Sequence, residues 1–557
     1  MKIFQRENIG ICLSRLFFFS VIISYWGIYF IRNVGIYGWW CMKLTFFTYL
    51  FLGIIVLAGA YIRLMPIFVG DTLFLFDQGR DMWDVKKIVY DRDFTLIGPF
   101  TGINGVFNGA YHYYLLAIPA WLSNGHPMAG SYFNALVHVL AILLCYLFGK
   151  RMFGTFYGIT LALFYAFSRY AVGVTQSFWN PNWIPAFMVP FIYFFYDGLI
   201  NRKRASLIIA GFVAGIAANV EVAFGIWLIP VMILLTTFYW PSSWKTRTPY
   251  TALVVYAVHF IPHLIFDFRN NFLMTKAVVD FLMGKNVSLG ATIPLPERLV
   301  KRVFEIQGAT VFAVSSNDAI SYLLFAIVLA CVLYISYKML CSKDVFLQKT
   351  VVYRIQLRTL FFFIIPIIIY YFCFMVFSRT AWPWYWVGLQ VFYYFLVAYV
   401  LFIISSYGRI GVALSVSVIF IWFVFTIPAY FGSNKFLDQE PGRFSNMLRV
   451  VDYIFEDAQK EKVGVYTYTG PIIDYAFSYV LWWRGHTVLG NPPFTAYEHT
   501  SDMPKLNTVY LIIEPAPKAT PWASKGWEET KTPQGQELWR KEFPGRLTVV
   551  KRQISYD

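Results

Sequence analysis

The sequence has few charged residues for its length. Only 14% of its 557 residues are Asp, Glu, Lys or Arg, against about 25% in soluble globular proteins. Hydrophobic residues make up 58% of the chain, and the mean hydropathy is +0.56. A chain so poor in charge cannot cover a water-soluble surface, so the composition excludes a soluble enzyme and a disordered protein.

Cysteine is also scarce. The six cysteines are Cys12, Cys41, Cys145, Cys331, Cys341 and Cys373. They lie in or beside apolar runs or in a predicted cytoplasmic loop, without metal-ligand spacing, and none follows Phe431. This pattern indicates neither a disulfide framework nor a zinc site, and we interpret the cysteines as buried thiols.

Long apolar runs recur along most of the chain. Eleven of them have roughly twenty residues, enough for a helix to cross about 30 Å of hydrocarbon. The predicted spans are 44–64, 127–148, 155–174, 184–200, 205–222, 223–240, 250–266, 319–337, 359–377, 386–405 and 410–430. A further apolar run at 11–31 contains Arg15, so residues 1–43 are either an N-terminal extension or an extra span.

The distribution of charge orients these spans. The net charge is +16, but the segment from Phe431 onward holds fifteen basic and fifteen acidic residues, so the excess lies upstream. It is concentrated in short loops such as Lys150-Arg151 and Arg202-Lys203-Arg204, and basic loops stay cytoplasmic. This pattern predicts a multi-pass plasma-membrane protein in contact with membrane lipids and with no nucleic acid. The segments left on the outer side are 65–126, 175–183, 267–318, 378–385 and 431–557.

The C-terminal segment 431–557 changes character. Val463–Thr469, Thr508–Glu514 and Leu547–Ile554 have the apolar pattern of strands, whereas Asp474–Trp483 has helical spacing. We therefore predict an all-α polytopic membrane domain over 44–430, followed by a small extracytoplasmic α/β domain over 431–557.

Loop 65–126 contains an unusual acidic stretch. Asp77, Arg80, Asp81 and Asp84 are spaced at i, i+3, i+4 and i+7, so they share one face of any helix that begins near Phe76. Carboxylates in one stripe repel each other unless a cation, an arginine or a proton intervenes, and such clustering raises a carboxyl pKa toward values useful for accepting a proton. The alternative is an amphipathic helix on the membrane with a solvated acidic face.

Aromatic residues follow in the same loop, after several closely spaced glycines. The block Tyr111-His112-Tyr113-Tyr114 either stacks on a sugar or anchors the loop at the membrane interface. His112 also leaves open a divalent cation held together with Asp77 or Asp81, the one cofactor that the residues suggest.

Several motifs resemble those of the GT-C glycosyltransferases. In the first outer loop they are Phe76-Asp77-Gln78-Gly79-Arg80-Asp81, Asp93-Phe94-Thr95-Leu96-Ile97-Gly98-Pro99 and Gly109-Ala110-Tyr111-His112-Tyr113-Tyr114-Leu115. Downstream, Phe178-Trp179-Asn180-Pro181-Asn182-Trp183-Ile184-Pro185 is similar to a Trp-x-Asn-Pro-Asn block, and Pro262 through Phe272 to a Pro-x-Leu-x-Phe-[Glu/Asp]-x-Arg block. Over roughly residues 44–430 the chain resembles the bacterial and archaeal relatives of protein O-mannosyltransferases and lipid A aminoarabinose transferases, a family 39-like branch. It departs from that branch at Gln78, where mannosyltransferases have Glu, and at Asn219-Val220-Glu221, where relatives often have Gln-x-His.

The resemblance implies a GT-C membrane domain of about 11–12 transmembrane helices and an inverting transferase. The enzyme would move a hexose or pentose from a polyprenyl-phosphate donor to a hydroxyl group of a protein, lipid or glycan on the outer side. Asp77 would be the general base, while Asp81 would orient the base, pair with Arg80 or be the base itself.

Positive charge is expected at the departing lipid phosphate. Arg298, Lys301 and Arg302 are spaced at i, i+3 and i+4 in an outer segment, where a basic face grips either a phosphodiester or anionic headgroups. Glu221 is costly in its apolar run and marks a cavity or a pair. The predicted substrate contacts are Arg80, Tyr111, His112, Tyr113, Asn180, Glu221, Arg269, Arg298, Arg302, Arg379 and Trp384, the last being alternatively part of an interfacial tryptophan belt.

Two other functions fit parts of this pattern. A transporter or flippase of polyprenyl-linked sugars would share the span count, Glu221 and a basic outer cavity, but transporters usually show two similar halves and the sequence shows no internal repeat. A scaffold that binds lipid carriers without turnover is the third alternative.

Overall fold

The computed structural model of the protein describes residues 37–285, 292–341, 348–431, 437–459, 461–470, 473–489, 493–495 and 505–555. The apolar run at 11–31 lies outside these residues. Up to residue 431 the elements are α1 (Tyr37–Phe68), α2 (Phe76–Lys86), β1 (Ile97–Phe100), β2 (Phe107–Gly109), α3 (Tyr111–Leu122), α4 (Ala129–Phe153), α5 (Thr155–Phe167), α6 (Arg169–Gly173), α7 (Ile184–Ile200), α8 (Arg204–Val220), α9 (Val222–Gly225), α10 (Leu228–Tyr239), α11 (Thr248–Val258), α12 (Ile261–Arg269), α13 (Leu273–Leu282), α14 (Leu295–Ala309), α15 (Asp318–Leu340), α16 (Gln348–Val376), α17 (Leu389–Ser405) and α18 (Gly408–Thr426).

Each of the eleven predicted spans falls on one or two of these helices. Among the described residues, seven helices are long and apolar enough to cross a membrane, and α11 with α12 makes an eighth across a 48° bend. The bend lies where Pro262 occupies the first turn of α12, because proline lacks the N–H that would continue the helical ladder. The remaining three predicted spans fall on α5, α8 and α17, which are shorter apolar helices.

Helix α17 lies at the centre of the membrane domain. Nearly all its side chains are buried, as expected for a helix that is apolar all round, and it packs against α5, α16 and α18. Cys145 is buried in α4, as we interpreted the cysteines, but Cys341 is exposed, and the interpretation is wrong for that residue.

The C-terminal segment forms a small α/β domain. Its elements are α19 (Phe444–Ala458), β3 (Gly464–Tyr468), α20 (Tyr475–Arg484), β4 (Phe494–Thr495), β5 (Thr508–Ile513), α21 (Ala523–Thr530), β6 (Gln536–Phe543) and β7 (Leu547–Gln553). The strands lie in the order β4-β3-β5-β7-β6, with β3 parallel to both of its neighbours and β7 antiparallel to both of its own. The three predicted strands are confirmed as β3, β5 and β7, and the predicted helix as α20.

The segments predicted to share a side of the membrane meet at one end of the bundle. The Phe74 backbone N–H donates to Gly442 at 2.8 Å, which joins the first loop to the C-terminal domain. The Ile293 backbone N–H donates to the Ser378 carbonyl at 2.8 Å, and the Trp179 ring lies 4.8 Å from Trp384. We call this end of the molecule the loop end.

Candidate active site

Helix α2, at the loop end, places one arginine between two carboxylates. The helix begins where the side-chain oxygen of Gln78 accepts a hydrogen bond from the Leu75 backbone N–H at 3.0 Å, which satisfies one of the free N–H groups there. One turn later, Arg80 contacts Asp77 at 3.0 Å and Asp81 at 2.8 Å. The predicted shared face is confirmed, and the guanidinium supplies the positive charge that holds the two carboxylates together.

Asp84 continues the same face with a different partner. It accepts a hydrogen bond from Lys87 Nζ at 2.9 Å, and its negative charge also acts on the Tyr113 hydroxyl group of α3. Burial, together with the negative charges of Asp81 and Asp84, raises the pKa of Tyr113 well above its ordinary range. The phenol therefore keeps its proton.

His112 holds Asp81 on its other side. Its Nε2 atom lies 2.9 Å from Asp81 Oδ2, and both side chains are fully buried. Its Nδ1 atom lies 3.0 Å from the indole nitrogen of Trp183. An indole N–H only donates, so Nδ1 accepts and the ring proton lies on Nε2, facing the carboxylate. The hydrogen-bonded chain Trp183–His112–Asp81–Arg80–Asp77 is the candidate site.

The two carboxyl groups of this chain have opposite pKa shifts. Burial raises the pKa of Asp77, and the ion pair with Arg80 only partly opposes the rise. For Asp81, burial acts in the same direction, but Arg80 and His112 outweigh it and lower the pKa. Asp81 thus stays ionised, whereas Asp77, with 39% of its side chain exposed, is the group better suited to gain and lose a proton.

A divalent cation at Asp77 and His112 would need side-chain atoms that are free to coordinate it. Both ring nitrogens of His112 are engaged in hydrogen bonds, as are both oxygens of Asp81. In the described part of the chain, no cluster of three or more His, Cys, Asp or Glu side chains is placed to hold a metal ion. Neither ring nitrogen of His112 is therefore free to bind a metal ion in this arrangement, and the cation beside Asp77 is Arg80.

The Trp-Asn-Pro-Asn block connects this network to a second group of predicted residues. Trp183, at its end, donates to His112. Asn180 donates to Glu221 at 2.7 Å, and both side chains are buried. Trp179 meets Trp384 edge to face, with ring centroids 4.8 Å apart. The short turn before α7 therefore contacts both the His112 network and the group formed by Glu221 and Trp384.

Tyr111 braces the first loop against the membrane helices. Its hydroxyl lies 2.9 Å from His259 Nδ1, and its backbone N–H donates to the Asn219 side chain at 3.2 Å. A Cβ atom at Gly109 would lie 2.0 Å from Asn219 Oδ1, so only glycine allows this approach. Asn219, one of the departures from the family pattern, thus holds the loop backbone.

Two basic residues of α14 donate hydrogen bonds to the C-terminal end of α16. Arg302 is fully buried, and its guanidinium donates to the carbonyls of Phe374, Phe377 and Arg379 and to Glu305. Arg298 donates to the carbonyl of Met375 at 2.6 Å. These include carbonyls that a helix end leaves free, so both arginines fix the chain near Arg379. Arg269 is exposed at the end of α12.

Comparison with known proteins places this arrangement in a family context. Residues 110–266 match the family model of dolichyl-phosphate-mannose-protein mannosyltransferases. This segment contains His112, Asn180, Trp183 and Glu221, whereas Asp77 precedes it. No curated protein sequence matches the chain.

Solved structures resemble the chain over most of its length. The crystal structure of ArnT from Cupriavidus metallidurans bound to undecaprenyl phosphate matches with a TM-score of 0.54 and 12% identity, over 91% of this chain and 98% of that chain. The apo state of the same protein matches with a TM-score of 0.57 and 13% identity over the same shares. The oligosaccharyltransferase of Archaeoglobus fulgidus, in complex with Zn and sulfate, is 14% identical, with a TM-score of 0.46 over 83% of this chain and 68% of that chain.

Proposed function

Because the membrane domain has the GT-C fold and residues 110–266 match protein mannosyltransferases, we propose that the protein is an inverting glycosyltransferase. Its donor is a polyprenyl-phosphate sugar, its acceptor is a hydroxyl group, and transfer takes place on the extracytoplasmic side of the plasma membrane. The ArnT structure with undecaprenyl phosphate supports a lipid phosphate as the sugar carrier.

The observation that carries this proposal is the unequal setting of two neighbouring carboxylates. Both oxygens of Asp81 are occupied by Arg80 and His112, so Asp81 positions the arginine. Asp77 is more exposed and has a raised pKa. Two carboxyl groups with pKa values pushed apart typically divide acid–base work between them, and Asp77 is the proposed general base.

The transfer is a single displacement. Asp77 takes the proton of the acceptor hydroxyl while its oxygen forms a bond to the anomeric carbon. The bond between that carbon and the phosphate oxygen breaks on the opposite face, and its electron pair leaves with the polyprenyl phosphate. One displacement of this kind inverts the anomeric configuration.

Other residues are proposed to hold the donor. Trp384, paired with Trp179, offers an aromatic surface to the sugar, and Glu221 offers a carboxylate fixed by Asn180. Arg379 and Arg269 are the proposed partners of the lipid phosphate. Arg302 acts through the backbone that carries Arg379, since its guanidinium is occupied by three carbonyl groups and Glu305. Arg298 supports the same segment through the Met375 carbonyl.

A donor assay tests the reaction class. Membranes containing the protein are supplied with undecaprenyl-phosphate mannose, glucose, galactose, arabinose or aminoarabinose, each labelled in the sugar, and with native membranes as acceptor. A transferase moves the label from one of these lipids to an acceptor with inversion. A transporter moves the intact lipid between leaflets, so labelled lipid that crosses the membrane unbroken, with no transfer from any donor, contradicts the proposal.

A further inference from the structure

The first turn of α20, in the C-terminal domain, lies directly on α2. Gly79 stands between Asp77 and Arg80 in the sequence, and a Cβ atom there would lie 2.5 Å from the carbonyl carbon of Tyr475 and 2.6 Å from the nitrogen of Ala476. Both are backbone atoms, so no side-chain rotation relieves the collision. Glycine inside a helix is normally unfavourable, and the close approach of α20 accounts for it here.

Two further contacts flank Gly79 on the same face of α2. The Phe76 ring lies 4.9 Å from that of Tyr475. The Trp83 indole N–H donates to the Ser478 hydroxyl at 3.2 Å, and its ring lies 5.6 Å from that of Tyr479. Because Phe76, Gly79 and Trp83 follow a helical spacing, α20 contacts α2 on the face beside the one that carries the carboxylates.

Helix α20 is itself anchored at both ends of this contact. The Asp474 carboxylate accepts a hydrogen bond from the Phe477 backbone N–H at 3.0 Å and so caps the start of the helix. The Tyr479 hydroxyl donates to the Gly125 carbonyl, after α3, at 2.8 Å. A second tie joins the two domains nearby, where Arg443 lies 2.9 Å from Asp71.

We propose that α20 is a positioning element of the active site, which sets the orientation of the α2 carboxylates through its contact with Gly79 and Trp83. The C-terminal domain is then a part of the catalytic machinery rather than a separate attachment. This inference rests on the proposed transferase function, since the carboxylates that α20 positions are those of the proposed base and its neighbour.

The first test substitutes Gly79→Ala, which pushes α20 away from α2. Gly526→Ala is the matched control, because Gly526, like Gly79, lies within a helix, here α21, and a Cβ atom there would meet nothing within 4 Å. We expect Gly79→Ala to lower the maximal transfer rate by about 10- to 100-fold while the affinity for undecaprenyl phosphate stays within about twofold. Gly526→Ala should change neither.

The second test does not depend on a steric clash. Trp83→Phe and Ser478→Ala each remove one partner of the same hydrogen bond and are measured singly and together. We expect each to lower the maximal rate by about threefold, and the double variant to lower it by about threefold as well, because the partners share one interaction.

The outcomes distinguish this inference from the function on which it rests. If the wild type transfers sugar and Gly79→Ala does so at the same rate, the positioning role alone is overturned. The same follows if the double variant loses rate by the product of the two single-variant losses. Equal losses of rate and of undecaprenyl phosphate affinity also overturn it, because they indicate general unfolding. A wild-type protein that transfers sugar from no donor overturns both proposals.

Discussion

The indole N–H of Trp183 donates to Nδ1 of His112 over 3.0 Å and thereby leaves the ring proton on Nε2, 2.9 Å from Asp81. The two residues are 71 positions apart. Trp183 lies directly before α7, and His112 lies in the first turn of α3. Because the ring cannot turn or change tautomer without losing one of these bonds, Asp81 always meets an N–H. That fixed partner keeps Asp81 ionised and Arg80 in place beside Asp77.

Replacing Trp183 by Phe keeps an aromatic ring in the core and removes only the N–H donor. The proton of His112 can then move to Nδ1, which turns a bare nitrogen toward the Asp81 carboxylate. We expect the maximal transfer rate to fall about tenfold, as the loss of one buried hydrogen bond suggests. Trp522→Phe is the control, since Trp522 is 71% exposed. A Trp183→Phe rate equal to the wild type would exclude this role.

Asp81→Asn should destabilise the fold. The substitution leaves Arg80 and His112 facing an amide, and removing one partner of a buried ion pair costs about 3–5 kcal/mol. Asp84→Asn should cost less than about 1 kcal/mol, because its 31% exposed carboxylate pairs with an exposed lysine. Thermal unfolding in detergent measures the difference, and equal midpoints for the two variants would contradict the account.

Stability should also depend on pH through Asp81. Its pKa is lowered in the folded protein, so the stabilisation is fully present above the unfolded pKa of about 3.9 and is lost as the pH falls through the lower, folded value. The unfolding midpoint of the wild type should therefore drop in acid more steeply than that of Asp81→Asn. If the unfolding midpoints of the two proteins fall in parallel with pH, Asp81 does not cause the acid dependence.

The pH dependence of the rate tests Asp77. A general base works deprotonated, so the rate should fall as the pH drops through the pKa of Asp77, which burial holds above its ordinary value of about 3.9. Arg80→Gln removes the positive charge that opposes this rise, and the acidic limb should move to higher pH. Arg443→Gln, at an arginine that pairs with Asp71 and Asp438, should leave the limb in place. If the acidic limb of the pH–rate profile stays in place in Arg80→Gln, Asp77 is not the general base.

Much of the architecture could be predicted from the sequence because its causes are local. Apolar runs must become helices in a membrane, since every backbone group has to be hydrogen-bonded internally. The basic loops indicate which ends of these helices face the cytoplasm. The spacing of Asp77, Arg80 and Asp81 similarly predicts one helical face, and all three side chains meet on it. The strands β3, β5 and β7 follow from apolar patterns of the kind that fill the core of a sheet.

What could not be predicted depends on contacts between distant segments. Trp183 lies within a block that resembles the family, but nothing local shows that its indole reaches His112. Arg298 and Arg302 have the spacing of a basic surface, yet their partners are the carbonyl groups that end α16, and helical spacing does not reveal what packs against a face. The sequence likewise does not reveal the role of Gly79, because the residue packs against the backbone of the distant helix α20.

Arg302→Lys should show that Arg302 holds the end of α16. An ammonium group cannot reach the carbonyls of Phe374, Phe377 and Arg379 together as the planar guanidinium does. With hydrogen bonds to a charged group contributing about 1.5–3 kcal/mol each, the unfolding midpoint should fall clearly. Arg269→Lys, at an exposed position, should leave the midpoint unchanged, and equal midpoints would argue against the capping role.

The most direct measurement compares the wild type with Asp77→Asn in the rate of sugar transfer from the labelled undecaprenyl-phosphate donor, with the binding of undecaprenyl phosphate measured alongside. Asparagine keeps the shape of the side chain but cannot accept the proton. The account predicts a loss of about 100- to 10,000-fold in rate, the range of general base catalysis, with binding intact. Transfer at the wild-type rate by Asp77→Asn would contradict it.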